Sequence, residues 1–267
     1  MLVVRKWPLF AAAALAAMAS PIYAQDGIIK TIYHGFPIIG VQPDPTATYD
    51  VTIMAPRRAL EVIVEGFDLL LQTSPQAADL AALMENGDLV IVYYPGHSRN
   101  FASTLGTDLA YFTSRSPFQQ GTANDKTFTV VFGRYIVKWG AEEIALTLSH
   151  ELMGHGIQHL RNRLDSMRSL DTECEAYLIE EDVRQRLGID KRSEMSVRFR
   201  QNLEWKFCVS FKQYMAKYEP DALAVWETLN PSVPTLLGVV AAEDDRWSNQ
   251  LCGDCHGGEN GGAEKYD

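Results

Sequence analysis

The hydrophobic pattern of this chain changes period at about Ala141, and this change limits the fold class. Before that point, short apolar runs bounded by turn residues, such as residues 89–94 and 128–132, predict buried strands. After it, apolar residues recur at helical spacing as far as about Asn230. The pattern predicts an α+β protein in which an N-terminal mixed sheet with helices precedes a mostly helical C-terminal half.

The first half is predicted to contain two helices and several strands. Residues 25–48 are rich in Pro and Gly and predict loops with one short strand. The helices are expected over 56–72 and 75–84, and the strands over 49–54, 89–94, 109–112, 128–132 and 135–139. Because the chain has no internal repeat and no low-complexity linker before its tail, we expect one domain over residues 25–247.

The first 24 residues have the organisation of a secretory signal peptide. Arg5 and Lys6 precede an apolar run over residues 9–18, and small residues end at Ala24, after which we expect cleavage. The run is shorter than the about 20 residues that a membrane span needs. We therefore expect an exported protein, periplasmic or extracellular, without a stable membrane span once the peptide is removed.

The charge of the chain argues against nucleic-acid partners. The formal net charge is −10, and removal of Arg5 and Lys6 with the signal peptide makes it −12. Nucleic-acid binding draws most of its affinity from Lys and Arg side chains that neutralise phosphates. An acidic surface of this kind excludes that class of partner.

A predicted helix over about residues 141–163 carries four side chains suited to a metal site, namely His150, Glu151, His155 and His159. A catalytic zinc ion typically has three protein ligands and one open position, and imidazole and carboxylate groups have the right chemistry for it. Glu151 follows His150 directly. This position suits a general base that takes a proton from a water molecule whose pKa the ion lowers.

The spacing of His150 and His155 makes a structural demand. Helical zinc motifs usually place two histidines at i and i+4, about 40° apart around the axis, whereas i and i+5 are about 140° apart. In a regular α-helix, His150 and His155 could not share an ion. A π-type bulge would absorb the extra residue, and Gly154 is of the residue type that tolerates such a distortion.

Two short motifs resemble those of the dipeptidyl-peptidase III family of zinc peptidases. The stretch from His150 to His155 matches the pattern His-Glu-x-x-Gly-His, and the stretch from Glu173 to Ala176 matches Glu-Cys-x-Ala. The resemblance is local, covering about residues 149–182. It implies that His150, His155 and Glu173 bind zinc and that Glu151 is the catalytic acid and base.

The helix predicted from Asp171 to about residue 187 supports the choice of Glu173. Its buried face is defined by Ala176, Ile179, Val183 and Leu187. At 100° per residue, Glu173 lies about 60° from Ala176 and Glu175 about 100° away on the other side. Glu180, at about 40°, also points inward and is a candidate for orienting a histidine from behind, as is His159.

Three alternatives use the same residues. His155 and His159 have the ordinary i,i+4 spacing and are a candidate pair, although no carboxylate then follows the first histidine. In the second alternative, the histidines are structural side chains and bind no ion. In the third, they bind an ion but the protein catalyses no hydrolysis.

The order of elements suggests a peptide substrate. A strand that directly precedes the motif helix resembles zincin-like folds, in which such a strand edges the cleft and pairs with an extended substrate. The strands predicted between residues 128 and 139 occupy this place, although an ordinary buried strand would have the same sequence pattern. Acyl transfer also needs a group that stabilises the oxyanion, and five residues are candidates: His97, Tyr177, Arg200, Tyr214 and Tyr218.

The four cysteines leave several interpretations open. Cys252, Cys255 and His256 form the Cys-x-x-Cys-His pattern of covalent c-type haem, in a Gly-rich tail over residues 248–267. A disulfide between the two cysteines and a second metal site are the other hypotheses for this tail, and the haem hypothesis would make the protein an electron-transfer or redox protein. Cys174 and Cys208 are either a disulfide that clamps the helix of Glu173 or two buried thiols.

Overall fold

The computed structural model describes residues 23–25, 27–73, 77–97, 110–114, 126–164 and 169–242. The strands in these ranges are β1 (Tyr23–Gln25), β2 (Ile28–Tyr33), β3 (Phe36–Val41), β4 (Gly87–Tyr93), β5 (Ala110–Thr113) and β6 (Lys126–Phe132). The helices of the first half are α1 (Pro56–Thr73) and α2 (Ala77–Glu85), followed by a 3₁₀ turn at Ile136–Lys138. The predicted α+β class, both helices and the strands near 89–94, 109–112 and 128–132 are thereby confirmed.

The second half is helical. A continuous segment comprises α3 (Ala141–Leu148), a π-helix (Ser149–Gly156) and α4 (Ile157–Leu160), and we call it the motif helix. It is followed by α5 (Ser169–Arg186), α6 (Glu194–Asn202), a second π-helix (Leu203–Phe207), α7 (Val209–Tyr218) and α8 (Pro220–Trp226). Residues 233–242 are also helical.

The described strands form one mixed sheet in the order β1-β2-β3-β4-β6-β5. The first three strands make an antiparallel meander, and β4 runs parallel to both β3 and β6. The last strand, β5, pairs antiparallel with β6 and leaves its other side as an edge of the described sheet. The strand that precedes the motif helix, β6, is therefore internal in the described sheet, so of the two interpretations that the sequence left open the structure has the ordinary buried strand.

The region before Thr48 contains more strand than the single one predicted. A two-residue turn, His34 and Gly35, joins β2 to β3, and both turn residues have positive φ, 47° and 89°. Such turns match the twist of antiparallel strands, and glycine takes the second position without steric cost. Pro37 is tolerated in β3 because pairing with β4 begins only at Ile38, so no ladder bond to β4 needs its missing N–H.

Two other predicted strands are wrong. Residues 49–54 are neither strand nor helix, and residues 136–138 form the 3₁₀ turn. Ile136 and Val137 are both 1% exposed, whereas a strand would turn one of them to each face. The buried Arg134 donates to Asp50 and to the carbonyl oxygen of His97, which holds these loops together.

The buried apolar side chains form two main cores that meet at α5. One core lies between the sheet, α1, α2 and the motif helix, and it includes Val183 of α5. The other lies among the C-terminal helices and includes Leu178 of the same helix. Because α5 packs into both cores, its position relative to the motif helix is determined by both halves of the fold.

A disulfide joins Cys174 of α5 to Cys208, directly before α7, across 34 residues of sequence. Both cysteines are buried. Of the two alternatives that the sequence left open for these cysteines, the disulfide that clamps the helix of Glu173 is therefore the one present.

In the described part of the chain, no helix has the length and apolar character needed to cross a membrane.

Removing this disulfide should reduce stability without changing the fold. For the double variant Cys174→Ala, Cys208→Ala, we expect the free energy of unfolding to fall by about 2–4 kcal/mol, because the unfolded chain regains loop entropy. Denaturant titration followed by circular dichroism measures this loss. Non-reducing peptide mapping of the wild type should recover Cys174 and Cys208 in one linked peptide, and two free thiols there would contradict the bridge.

Candidate metal centre

The π-helix at Ser149–Gly156 brings His150 and His155 together. Their ring centroids are 5.0 Å apart, with the rings nearly perpendicular. A π-helix bonds each residue to the fifth one along, so two side chains at i and i+5 approach the same side of the helix. This departure from α-helical geometry lies where the spacing of the two histidines requires it.

The role of Gly154 differs from the one expected. Its φ is not positive, so backbone freedom is not the reason for a glycine here. A Cβ at this position would lie 2.6 Å from the Cβ and 2.9 Å from the Cα of Ala176 in α5. Gly154 and Ala176 are therefore needed as small residues, since their contact lets α5 lie directly against the π-helix.

This close approach places Glu173 opposite both histidines. The Nε2 of His150 is 3.4 Å from one carboxylate oxygen of Glu173, and the Nε2 of His155 is 3.5 Å from the other. Two atoms that each lie about 2.1 Å from a tetrahedral zinc ion are about 3.4 Å apart. Each imidazole thus lies at a distance from the Glu173 carboxylate that two ligands of one ion would have.

A second carboxylate, that of Glu151, is also close. Ligand atoms of His150, Glu151 and His155 all lie within 4.8 Å of one another, so this buried group could hold a metal ion. The Glu151 carboxylate accepts a hydrogen bond from the backbone N–H of Phe112 in β5. Burial raises the pKa of Glu151, although the two histidines act against this rise. Two carboxylates thus lie beside the histidines: Glu173 faces both Nε2 atoms, and Glu151 lies with the histidines in the group that could hold an ion.

The metal-free cluster is a charged network. Burial lowers the pKa of His155, but contacts with Glu173, together with Glu151 and Gln158, outweigh burial and raise it to about 9. For Glu173, burial raises the pKa, but His150 and His155 outweigh this effect and hold it well below its ordinary range. In the absence of a metal ion, a proton on His155 thus compensates the charge of Glu173.

Glu180 lies behind His150, as predicted from the helical angles. Its carboxylate is 3.6 Å from the Nδ1 of His150 and accepts a hydrogen bond of 3.0 Å from Arg184. That Nδ1 atom is buried and has no hydrogen-bond partner among the described residues, and the carboxylate of Glu180 faces it just beyond hydrogen-bonding distance. Tyr177 also packs against His150, with ring centroids 4.3 Å apart.

His155 is supported differently, by an amide that the sequence reasoning missed. The Nδ1 of His155 lies 2.9 Å from the Oε1 of Gln158. Gln158 is three residues further along the same helical segment, on the same side, and this i,i+3 relation is the signal that could have identified it.

The ring of His159 packs against Phe128 and Phe112, with centroid distances of 5.4 and 5.9 Å. The two imidazole rings that the structure brings into contact are those of His150 and His155, rather than the i,i+4 pair of His155 and His159. A supporting role for His159 stays a prediction.

One of the five candidate oxyanion stabilisers, Tyr177, contacts the cluster. Arg200 instead donates to Glu204 and to the carbonyl oxygen of Trp226. Tyr214 and Tyr218 pack on each other in α7, and His97 packs on Tyr111 of β5. Burial raises the pKa of Tyr177 well above its ordinary value, so its hydroxyl group stays protonated and able to donate.

The sequence-derived features at the two ends lie largely outside the described residues. Cys252, Cys255 and His256 fall in the tail, and the signal peptide is described only at Tyr23 and Ala24. The haem, disulfide and second-metal hypotheses for the tail stay predictions.

Comparison with protein-family models, with curated proteins and with solved structures found no match to this chain. The resemblance to the dipeptidyl-peptidase III family therefore rests on its two short motifs. What indicates a function for this chain is the geometry of His150, Glu151, His155 and Glu173.

The contact of Gly154 with Ala176 predicts a position-specific effect of one methyl group. In Gly154→Ala, the new Cβ must displace α5, so we expect a loss of about 1–3 kcal/mol in the free energy of unfolding and weaker metal binding. The matched control is Gly156→Ala in the same π-helix, where a Cβ would meet Leu152 and Leu83 at an ordinary 3.4 Å. Equal effects of the two substitutions in thermal unfolding and metal titration would contradict this packing argument.

The charged network predicts how His155 titrates in the metal-free protein. Because its folded pKa of about 9 exceeds the ordinary 6.5, its pairing stabilises the fold fully below pH 6.5 and is lost as the pH rises through 9. The stabilisation also fades as the pH falls from 4.5 towards the lowered pKa of Glu173. NMR titration of the imidazole should show the raised pKa, and Glu173→Gln should lower it. A wild-type value below 7 would contradict the pairing.

Proposed function

We propose that this protein is an exported zinc-dependent metallohydrolase, and most specifically a peptidase. The observation that carries the proposal is the pair of imidazole Nε2 atoms that face the two oxygens of one carboxylate at 3.4 and 3.5 Å. His150, His155 and Glu173 would hold the ion. Two histidines and a glutamate are a ligand set of catalytic zinc sites that keep a fourth position open.

The chain's own residues supply the proton chemistry. Zinc, when bound, polarises a carbonyl group and lowers the pKa of water. Glu151 takes the proton of the attacking water and returns it to the leaving amine. Its burial favours the protonated form, which moves its pKa towards the range where one group serves as both base and acid. The backbone N–H of Phe112 favours the charged form of this carboxylate.

A peptide substrate is favoured by the edge strand rather than by β6. The backbone N–H of Phe112 points towards Glu151, so the outer polar groups of β5 face the proposed catalytic base. An extended peptide would add to this edge as a further strand, with its scissile bond beside Glu151. In this proposal the mixed sheet, its antiparallel edge strand and the bulged helix make up a zincin-like active site.

The test distinguishes the roles of Glu151 and Glu173 by whether replacing each carboxylate removes zinc binding, peptide cleavage or both. Wild-type protein should bind one zinc ion per chain and cleave members of a broad peptide library. Glu151→Gln should keep zinc and lose activity by about 10²–10⁴-fold, because general acid–base catalysis has that magnitude. Glu173→Gln should lose zinc affinity as well as activity. Glu142→Gln, an exposed glutamate of the same motif helix, should resemble the wild type.

Three results would each overturn part of the proposal. Loss of zinc from Glu151→Gln with retention in Glu173→Gln would exchange the roles of the two residues. Wild type that binds zinc but cleaves no more than Glu151→Gln would make the protein an inactive metal-binding protein. A reduced-haem absorption band in purified protein that contains no zinc would contradict the hydrolase hypothesis. It would support instead the redox protein that the pattern of Cys252 and Cys255 predicts.

A further inference from the structure

The side-chain amide of Gln158 is enclosed by polar partners. Gln158 is 1% exposed and lies in α4, between His155 and α5. Its Nε2 donates to the carbonyl oxygen of Thr172 and to the carboxylate of Glu175, both at 2.9 Å. A buried amide whose nitrogen and oxygen are all satisfied has one allowed orientation.

The partners themselves determine this orientation. A backbone carbonyl oxygen can only accept, and the carboxylate of Glu175 is paired at 2.9 Å with the guanidinium group of Arg163, so it also accepts. Turning the amide by 180° would place its oxygen against both acceptors. The nitrogen of Gln158 therefore faces α5, and its oxygen faces His155.

The amide oxygen in turn determines the tautomer of His155. Because the Oε1 of Gln158 accepts only, the Nδ1 of His155 must carry the hydrogen atom of their 2.9 Å contact. In the neutral ring, the lone pair then belongs to Nε2, the atom that lies 3.5 Å from Glu173. This is the tautomer that a metal ion at the proposed site requires.

We propose that Gln158 is a positioning residue for the metal ligand His155, through a chain of contacts from Arg163 to Glu175, Gln158 and His155. The inference rests on the proposed metal site and deepens it. These contacts orient the ring of His155 and, when the ring is neutral, leave Nε2 as the nitrogen without hydrogen. The group behind His155 is a neutral amide, whereas the group behind His150 is the carboxylate of Glu180. Partners of this kind commonly change metal affinity about 10–100-fold when they are removed.

The test measures zinc affinity of the full chain by competition with a chelator. Gln158→Met keeps the length of the side chain and removes both hydrogen-bonding functions, so we expect zinc to bind about 10–100-fold more weakly. Glu175→Gln, which removes the charge that fixes the amide, should give a smaller loss in the same direction. If Gln158→Met does not fold, the zinc affinity of Glu175→Gln tests the inference instead.

A matched control separates positioning from stability. Gln185 of α5 donates to the carboxylate of Glu181 and to the carbonyl oxygen of Pro231, at 2.9 and 3.0 Å. It therefore has the same two kinds of acceptor as Gln158. Gln185→Met should lower the thermal midpoint of the metal-free protein and leave zinc affinity unchanged.

A second measurement observes the hydrogen atom on the Nδ1 of His155 directly. In ¹⁵N-labelled, zinc-loaded wild type, the Nδ1–H of His155 should be observed and exchange slowly with solvent, and its exchange should be faster in Gln158→Met.

Failure of this inference is distinguishable from failure of the proposed function. If the wild type binds zinc and Gln158→Met binds it equally well, Gln158 has no positioning role and the metal site stands. An equal loss of affinity in Gln185→Met would also overturn the inference, because the effect would then be one of stability. If the wild type binds no zinc, the metal site itself is wrong.

Discussion

The contact between Gly154 and Ala176 is the interaction on which the rest of the site depends. The histidines belong to the π-helix and Glu173 belongs to α5, so the cluster exists only where these helices nearly touch. A methyl group on Gly154 would lie 2.6 Å from the Cβ of Ala176. Protein interiors are close-packed and do not absorb such an overlap without shifting an element.

The position of α5 is in turn secured from several directions. It packs into both cores, and its Cys174, next to Glu173 in sequence, is bonded to Cys208. Two residues that follow Glu173 on α5 contribute to the surroundings of the histidines. Glu180 lies behind His150, and Glu175 holds the amide that contacts His155. Helix α5 thus supplies a candidate ligand, the carboxylate behind His150 and the carboxylate that holds the amide of Gln158.

The parts of the fold that could be predicted are those with a strong local period. The helices near 56–72 and 171–187 and the strands near 89–94 and 128–132 repeat apolar residues at the spacing of their own structure. The hairpin of β2 and β3 was missed because His34 and Gly35 are not a usual turn pair and Pro37 argues against a strand. Residues 135–139 were predicted to form a strand because consecutive apolar residues fit a strand as well as a buried turn.

The place of the edge strand and the burial of Gln158 could not be predicted, because both depend on contacts between segments that are distant in sequence. The place of β5 outside β6 depends on strand order, which the pattern of a single strand does not encode. Gln158 is polar in a buried position, and only its partners Thr172 and Glu175 from another segment explain why it is stable there.

The sequence by itself determined the chemical types at the site and one geometric condition. Two histidines five residues apart on a helix cannot share an ion unless the helix departs from 3.6 residues per turn, and the π-helix follows from that local condition. Only the tertiary structure decided which carboxylate faces both Nε2 atoms, which strand lies beside Glu151 and which side chains hold the imidazoles. These relations join segments distant in sequence, and their distances are set by how closely α5 and the sheet edge pack against the motif helix.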